Sequence, residues 1–323
     1  MAVLGNGTDT GNSIRMPAAT SALVGVFPTR GLVSTAGIAP LDWLLDNTGP
    51  IARTVTDAAI ALSVMSGEDL LDPATTGSQL SSQPAPYETW LKAERPATRE
   101  MFMKAVEALR AAGAEVILDD QILSAGFTKI ASRVATYAYV QDGTDRFLAN
   151  FGPSSYRSAA EYLKAVGSPL YASSIGTEEY YRNLGGVRIE QRRFDTDSDA
   201  ERMYHLPRRK MLETYLEPLD RLKLDGYVYP AIQMPPPDET IAQDGRLSEG
   251  PHSATSWVNM IGVPAVVVPA GFYPNGLPFG LEFSARPWRD GDLLAMAYAF
   301  EQATRLRRPP VLVERGLLPI FGK

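Results

Sequence analysis

At 323 residues, with 45% hydrophobic and 21% charged positions, the chain has the composition of an ordinary globular protein, long enough for one large core or two small ones. Its 31 basic and 37 acidic residues leave a net charge of -6 without a basic stripe, which removes the counterion-releasing contacts that nonspecific nucleic-acid binding needs. It has no cysteine and only two histidines, His205 and His252, in unrelated contexts, so disulfides, thiolate nucleophiles and His- or Cys-built metal sites have nothing to start from.

In chain order, Ala2 to Leu4 reads as a strand end entering a glycine-rich loop, Gly5-Asn6-Gly7-Thr8-Asp9-Thr10-Gly11-Asn12, and a helix starts at Ser13-Ile14-Arg15-Met16. Gly49-Pro50 marks a turn. Thr54 and Asp57 then form a capping-box-like start to a helix that Gly67 stops. Thr98 opens an amphipathic helix ending at Gly113, followed by a strand over Glu115 to Leu118. Residues 125 to 224 read as a mostly helical cover. Beyond them Tyr227-Val228-Tyr229 is a short strand, Ser253 caps a helix reaching Ile261, and Ala265 to Val268 and Leu277 to Phe283 are strands. Asp290 caps a last helix running to about Arg305. The alternation predicts an α/β class, a mixed β-sheet covered by helices on both faces. No apolar run reaches the length of a membrane helix, and Met1 to Leu4 is too short for a signal peptide. The expectation is a cytoplasmic protein with a small-molecule partner, no nucleic acid, membrane, metal or cofactor, and compatibility with a homo-oligomer.

The glycine-rich loop is the strongest local feature, because main-chain N–H groups exposed at a helix N-terminus favour a negative charge. Phosphate binding is one use of such a cradle, but the third glycine comes one position late for a dinucleotide fingerprint and no Gly-Lys-Ser/Thr follows. An oxyanion hole is the other, with Ser13 at the loop end and the amides of Thr10, Gly11, Asn12 and Ser13 turned to one spot. From local chemistry alone a plain helix-capping role for Ser13 stays open.

The run Gly7-Thr8-Asp9-Thr10-Gly11-Asn12-Ser13-Ile14-Arg15-Met16-Pro17-Ala18 resembles the signature of the amidase-signature hydrolases. Gly25 to Ser34, Leu45 to Ala59, Asn259 to Ala265 and Gly276 to Leu281 match that family in the same order, while the stretch between about Pro73 and Leu224 is divergent. The resemblance implies cleavage of a carboxamide C–N bond, with Ser13 as the nucleophile and Thr10, Gly11 and Asn12 lining the oxyanion hole. It also implies a Ser, cis-Ser, Lys relay in which a buried neutral lysine serves as the base. No G-x-S-x-G elbow points to a histidine-based triad instead.

In the family, the cis-Ser and the lysine lie well upstream of the nucleophile, and twelve residues precede Ser13 here. The expectation is one amidase-signature domain over residues 1–323 whose N-terminal part is missing, inactive by itself. Its alternative is an inert remnant or fragment that keeps the fold and the oxyanion loop and at most binds. Asp9 and Arg15 are expected to pair and hold the loop. Trp43-Leu44-Leu45 is read as core or as the wall of an acyl pocket, and Tyr137, Tyr139, Tyr180, Tyr181 and His252 receive no role.

Overall fold

Ala265 to Val268 are four consecutive residues with no exposed surface, which a strand achieves only when both faces of its sheet are covered. The computed structural model describes residues 3–90, 101–111, 113–119, 122–123, 126–131, 134–167, 190–232, 255–273, 276–309 and 311–317, of which 89, 90, 101–105, 128, 129, 131, 311 and 312 by backbone alone. The regular elements are β1 (Leu4–Asp9), α1 (Arg15–Thr20), β2 (Val24–Phe27), β3 (Asn47–Ala52), α2 (Val55–Met65), α3 (Ser78–Ser81), α4 (Met101–Ala111), α5 (Gly126–Ala131) and α6 (Val140–Phe151). They continue with α7 (Ala159–Val166), α8 (Leu206–Leu222), β4 (Gly226–Pro230), α9 (Trp257–Ile261), β5 (Ala265–Phe272), β6 (Pro278–Ala285), α10 (Asp290–Thr304) and α11 (Val311–Glu314).

The strands form one sheet in the order β1-β3-β2-β5-β6-β4. The expected α/β class holds, and each of the five pairings is antiparallel. Side chains alternate across the pleat. Val24, Val26, Val266, Val268, Leu281 and Phe283 join α2, α4 and α10 in one core. On the other face Phe27 and Ala265 pack with Met211, Tyr215 and Leu219 of α8, and Val267 packs with Ala18 and Ala19 of α1. α1 sits directly on two glycines of the sheet, leaving no room there for a side chain. A Cβ on Gly25 would stand 2.7 Å from the Ala18 methyl, and one on Gly280 would stand 2.5 Å from the Ala19 methyl. Any larger side chain there lifts the helix that begins two residues after Ser13.

Several boundaries differ from the sequence reading. Most of the glycine-rich stretch is strand: Leu4 to Asp9 pair with Ala52 to Asn47, and the loop proper is Thr10 to Ile14. Gly49-Pro50, read as a turn, lies inside β3 opposite Gly7 and Asn6. Gly49 is there for proximity, since a Cβ would stand 2.1 Å from the carbonyl oxygen of Val26. Glu115 to Leu118 is irregular rather than a strand. Asp290 is the first residue of α10 and not its cap. Thr54 caps α2 as expected, its hydroxyl accepting from the Asp57 N–H at 3.1 Å. Thr98 and Ser253 lie outside the described residues.

The Asp290 carboxylate, fully buried, accepts from the Thr29 N–H at 2.8 Å and the Thr29 hydroxyl at 2.6 Å, tying α10 to the end of β2. Burial raises it from an ordinary 3.8 to about 6, against the opposing pull of the two Thr29 bonds. A raised folded pKa means that the folded state holds a proton that the unfolded state has released, so this group's contribution to stability falls as pH rises from about 4 to about 6. Asn at 290 removes that titration. The difference in urea stability between pH 4.5 and pH 6.5 should be smaller for Asp290→Asn than for wild type by on the order of 1 kcal/mol.

Candidate active site

The loop between β1 and α1 is held from behind by one carboxylate. Asp9 Oδ2 accepts from the main-chain N–H of Ile14 at 3.0 Å and of Arg15 at 3.4 Å, capping the start of α1. That cap folds residues 10–14 into a tight turn. Ser13 is therefore not the helix cap: its side chain is exposed and makes no hydrogen bond within the described residues. Nor, among the described residues, does any acceptor take the N–H of Gly11, Asn12 or Ser13. A Cβ added at Gly11 would meet nothing within 4 Å, so this side of the loop is open. Thr10 is anchored by its hydroxyl, which donates to Asp46 Oδ1 at 2.5 Å.

Behind the loop lies a buried ionic network centred on Arg15. Its side chain has no exposed surface, and neither have those of Asp9 and Glu282. Nε donates to Asp9 Oδ2 at 3.1 Å and Nη1 to Glu282 Oε1 at 2.7 Å. Nη1 also reaches the carbonyl and hydroxyl of Thr255 at 3.1 and 3.2 Å, and Nη2 reaches Asn259 Oδ1 at 2.5 Å. Asn259 Nδ2 closes the ring by donating to the carbonyl oxygen and to Oδ1 of Asp9, both at 2.9 Å. The expected Asp9–Arg15 pair is thus formed and extends into α9 and β6.

The two carboxylates respond differently to one cation. Burial pushes Asp9 up, but the Arg15 charge and bonds from Arg15, Asn259 and Ile14 outweigh it and leave the carboxyl below its ordinary range. Burial dominates at Glu282 and raises it despite Arg15, in keeping with its second oxygen, Oε2, having no hydrogen-bond partner among the described residues. Arg15 itself loses to burial and regains more from Glu282 and Asp9, so it stays charged.

The remaining expectations divide. Trp43 donates its ring N–H to the carbonyl of Tyr139 at 3.0 Å and packs edge-on against Phe194, with Leu44 buried beside it. That is core. Tyr139 is buried and donates to Asp197, and Tyr137 is exposed. Tyr180, Tyr181 and His252 lie outside the described residues. Glu282, Asn259 and Thr255 join the site without having been expected there, Asn259 only as the start of a family-like stretch, although Glu282 stands as the one charged residue of the eight in β6. The lysines whose side chains are described, Lys164, Lys210 and Lys223, are all exposed. Among the described residues no group of three or more acidic or histidine side chains could hold a metal ion, and no helix is long and apolar enough to cross a membrane.

Removing Arg15 leaves two carboxylates in a dry interior. Arg15→Met should cost about 3–5 kcal/mol in urea unfolding at pH 7.5. The deficit should shrink at pH 4.5, where Asp9 and Glu282 can take up protons in the variant's folded state and escape the uncompensated charge.

The chain is similar to proteins of known name over nearly all its length. It is 30% identical over 324 residues to a glutamyl-tRNA(Gln) amidotransferase subunit from Ruegeria pomeroyi, covering 92% of this chain and 62% of that protein. It is 29% identical to the protein of the same name from Methanosarcina barkeri, covering 94% and 66%. Among solved structures, the peptide amidase PAM in complex with the competitive inhibitor chymostatin superposes with a TM-score of 0.72 at 28% identity, over 96% of this chain and 64% of that one. Native peptide amidase from Stenotrophomonas maltophilia gives a TM-score of 0.69 at 27% identity over the same shares. The chain thus spans a little under two thirds of the length of the Ruegeria protein and of both peptide amidase chains. The family described as Amidase matches residues 1–294, more than nine tenths of the sequence, and the chain belongs to that amidase-signature family.

Proposed function

We propose that this chain carries the nucleophile and the oxyanion hole of an amidase that cleaves a carboxamide C–N bond through a serine acyl-enzyme. The observation that carries this reading is the pairing of an exposed Ser13 hydroxyl with the N–H groups of Gly11, Asn12 and Ser13, none of which has an acceptor among the described residues. Unpaired main-chain donors are normally avoided or given to water, and three in succession beside a free hydroxyl fit a developing oxyanion. In this scheme Ser13 Oγ attacks the carbonyl carbon and gives up its proton to a base. The carbonyl electron pair moves onto oxygen, where the loop donors hold it. The tetrahedral intermediate then collapses, the C–N bond breaks, and the departing amine takes a proton. Water afterwards cleaves the Ser13 ester and releases the acid.

The preorganisation of those donors comes from Asp9, which fixes Ile14 and Arg15 and is itself fixed by Arg15 and Asn259. The relay that the family resemblance implies needs a buried neutral lysine as base, and Lys164, Lys210 and Lys223, the lysines whose side chains are described, all face solvent. That same exposure favours the second reading, a protein that keeps the loop and binds an acyl group or carboxamide without cleaving it. In the hydrolytic reading the substrate is a carboxamide. The family and the peptide amidase and amidotransferase relatives support that class, and the divergent stretch before Leu224 leaves its side groups open.

A fluorophosphonate probe separates the two readings. Intact mass and peptide mapping should show one adduct, on Ser13, absent in Ser13→Ala. Labelling at other residues, or equal labelling of Ser13→Ala, would remove Ser13 as the nucleophile. A wild type that binds carboxamides yet stays unlabelled is the outcome for the binding reading.

A further inference from the structure

Arg30 lies just beyond β2 and is not part of the network around Arg15. One of its nitrogens, Nη2, donates to the carbonyl oxygens of Leu45 and of Asn259, each at 2.6 Å. Among the described residues, the buried Nε and Nη1 have no acceptor and no carboxylate lies within ion-pair distance of the guanidinium. Buried donors left unpaired each cost on the order of 1–3 kcal/mol, so this is a poor place for an arginine on packing grounds alone. What the side chain accomplishes is the bridge made by Nη2.

Both ends of that bridge lead to the Ser13 loop. On one side is α9, a helix of five residues with little stability of its own, whose last carbonyls would otherwise be orphaned. Two arginines take them. Arg30 Nη2 reaches Asn259 O and the Arg30 N–H reaches Gly262 O at 3.3 Å, while Arg208 of α8 donates to Met260 O at 3.1 Å and Ile261 O at 2.8 Å. The helix so fixed presents the Asn259 amide to Asp9. On the other side is the turn over residues 41–46. Leu45 and Asp46 donate their N–H groups to Asp42 O, both at 2.8 Å, and the Asp46 carboxylate accepts from the N–H of Leu41 at 2.9 Å as well as from the Thr10 hydroxyl.

We propose that Arg30 is a positioning residue for the oxyanion loop, holding Asp9 through α9 and Thr10 through the 41–46 turn from a single nitrogen. This rests on the reading of Ser13 as the nucleophile. Arg30 acts at two removes and touches neither the loop donors nor Ser13. Its loss frees both ends of the loop, and a displacement of about 1 Å in such a site costs roughly 100-fold in rate.

The experiment measures the fluorophosphonate inactivation rate constant and probe affinity separately, together with amide hydrogen exchange at Ile14 and Arg15. In Arg30→Met, which keeps bulk and loses every donor, the rate constant should fall about 100-fold with affinity nearly unchanged, and exchange at Ile14 and Arg15 should accelerate at least about tenfold. Arg30→Lys should recover most of both, because one ammonium nitrogen can serve two carbonyls as Nη2 does. Wild-type labelling and wild-type exchange in Arg30→Met would overturn the proposal, as would an Arg30→Lys no better than Arg30→Met. If Arg30→Met does not fold, a cycle between Arg30→Gln, whose shorter side chain cannot span both carbonyls, and Thr10→Val reads the same link: non-additive effects on the rate constant support it, and additive ones overturn it. A wild type that never labels strikes at Ser13 alone, since exchange at Ile14 and Arg15 needs no reactive serine and still decides the role of Arg30.

Discussion

One guanidinium with no access to water determines how this site is built. Arg15 is buried between Asp9 and Glu282, and a cation so placed is tolerable only if carboxylates and hydrogen bonds surround it closely. Asp9 lies 6 residues away in sequence and Glu282 lies 267 residues away, so satisfying Arg15 forces the two ends of the described chain together. With Asn259 and Thr255 completing its partners, the arginine joins β1, α1, α9 and β6 at one point.

That constraint reaches the surface through Asp9. The carboxylate that neutralises Arg15 also caps α1, and the cap turns the chain so that Ser13 emerges with the N–H groups of Gly11, Asn12 and Ser13 left without internal acceptors among the described residues. Close packing supports the same geometry from below, since Gly25 and Gly280 let α1 sit directly on the sheet. A rigid scaffold that holds unpaired donors against water is what electrostatic stabilisation of an oxyanion requires, because such donors need no reorientation when charge develops. The charges themselves are buried, whereas Ser13 is exposed.

The legible parts of the sequence were those with local causes. The Thr54 cap, the buried run in β5 and the Asp9–Arg15 pair each depend on residues a few positions apart, and each is present. The strand ends of β1 and β3 were not legible. Gly5, Gly7, Gly49 and Pro50 signal turns when read alone, and here they serve pairing between strands and close approach of backbones. The roles of Asn259 and Thr255 were hidden for a different reason, although Asn259 opens one of the family-like stretches: a single polar residue gains meaning only from a partner more than 200 positions away. Glu282 did leave a trace, as a charge inside an otherwise apolar strand, where burial demands a partner. Arg30 falls inside the Gly25 to Ser34 match, but its role was not legible, since its hydrogen bonds go to main-chain carbonyls that carry no sequence signal.

The proposed site requires the loop amides to converge where a tetrahedral oxygen would sit beside Ser13. A crystal structure of the phosphonylated protein tests it most directly, because the probe leaves a tetrahedral phosphorus on the serine. The expected result is a phosphoryl oxygen about 2.7–3.1 Å from at least two of the Gly11, Asn12 and Ser13 nitrogens, with the Asp9–Arg15 contacts intact. A phosphoryl oxygen pointing into solvent, or one held by side chains while those three nitrogens bond elsewhere, would contradict it.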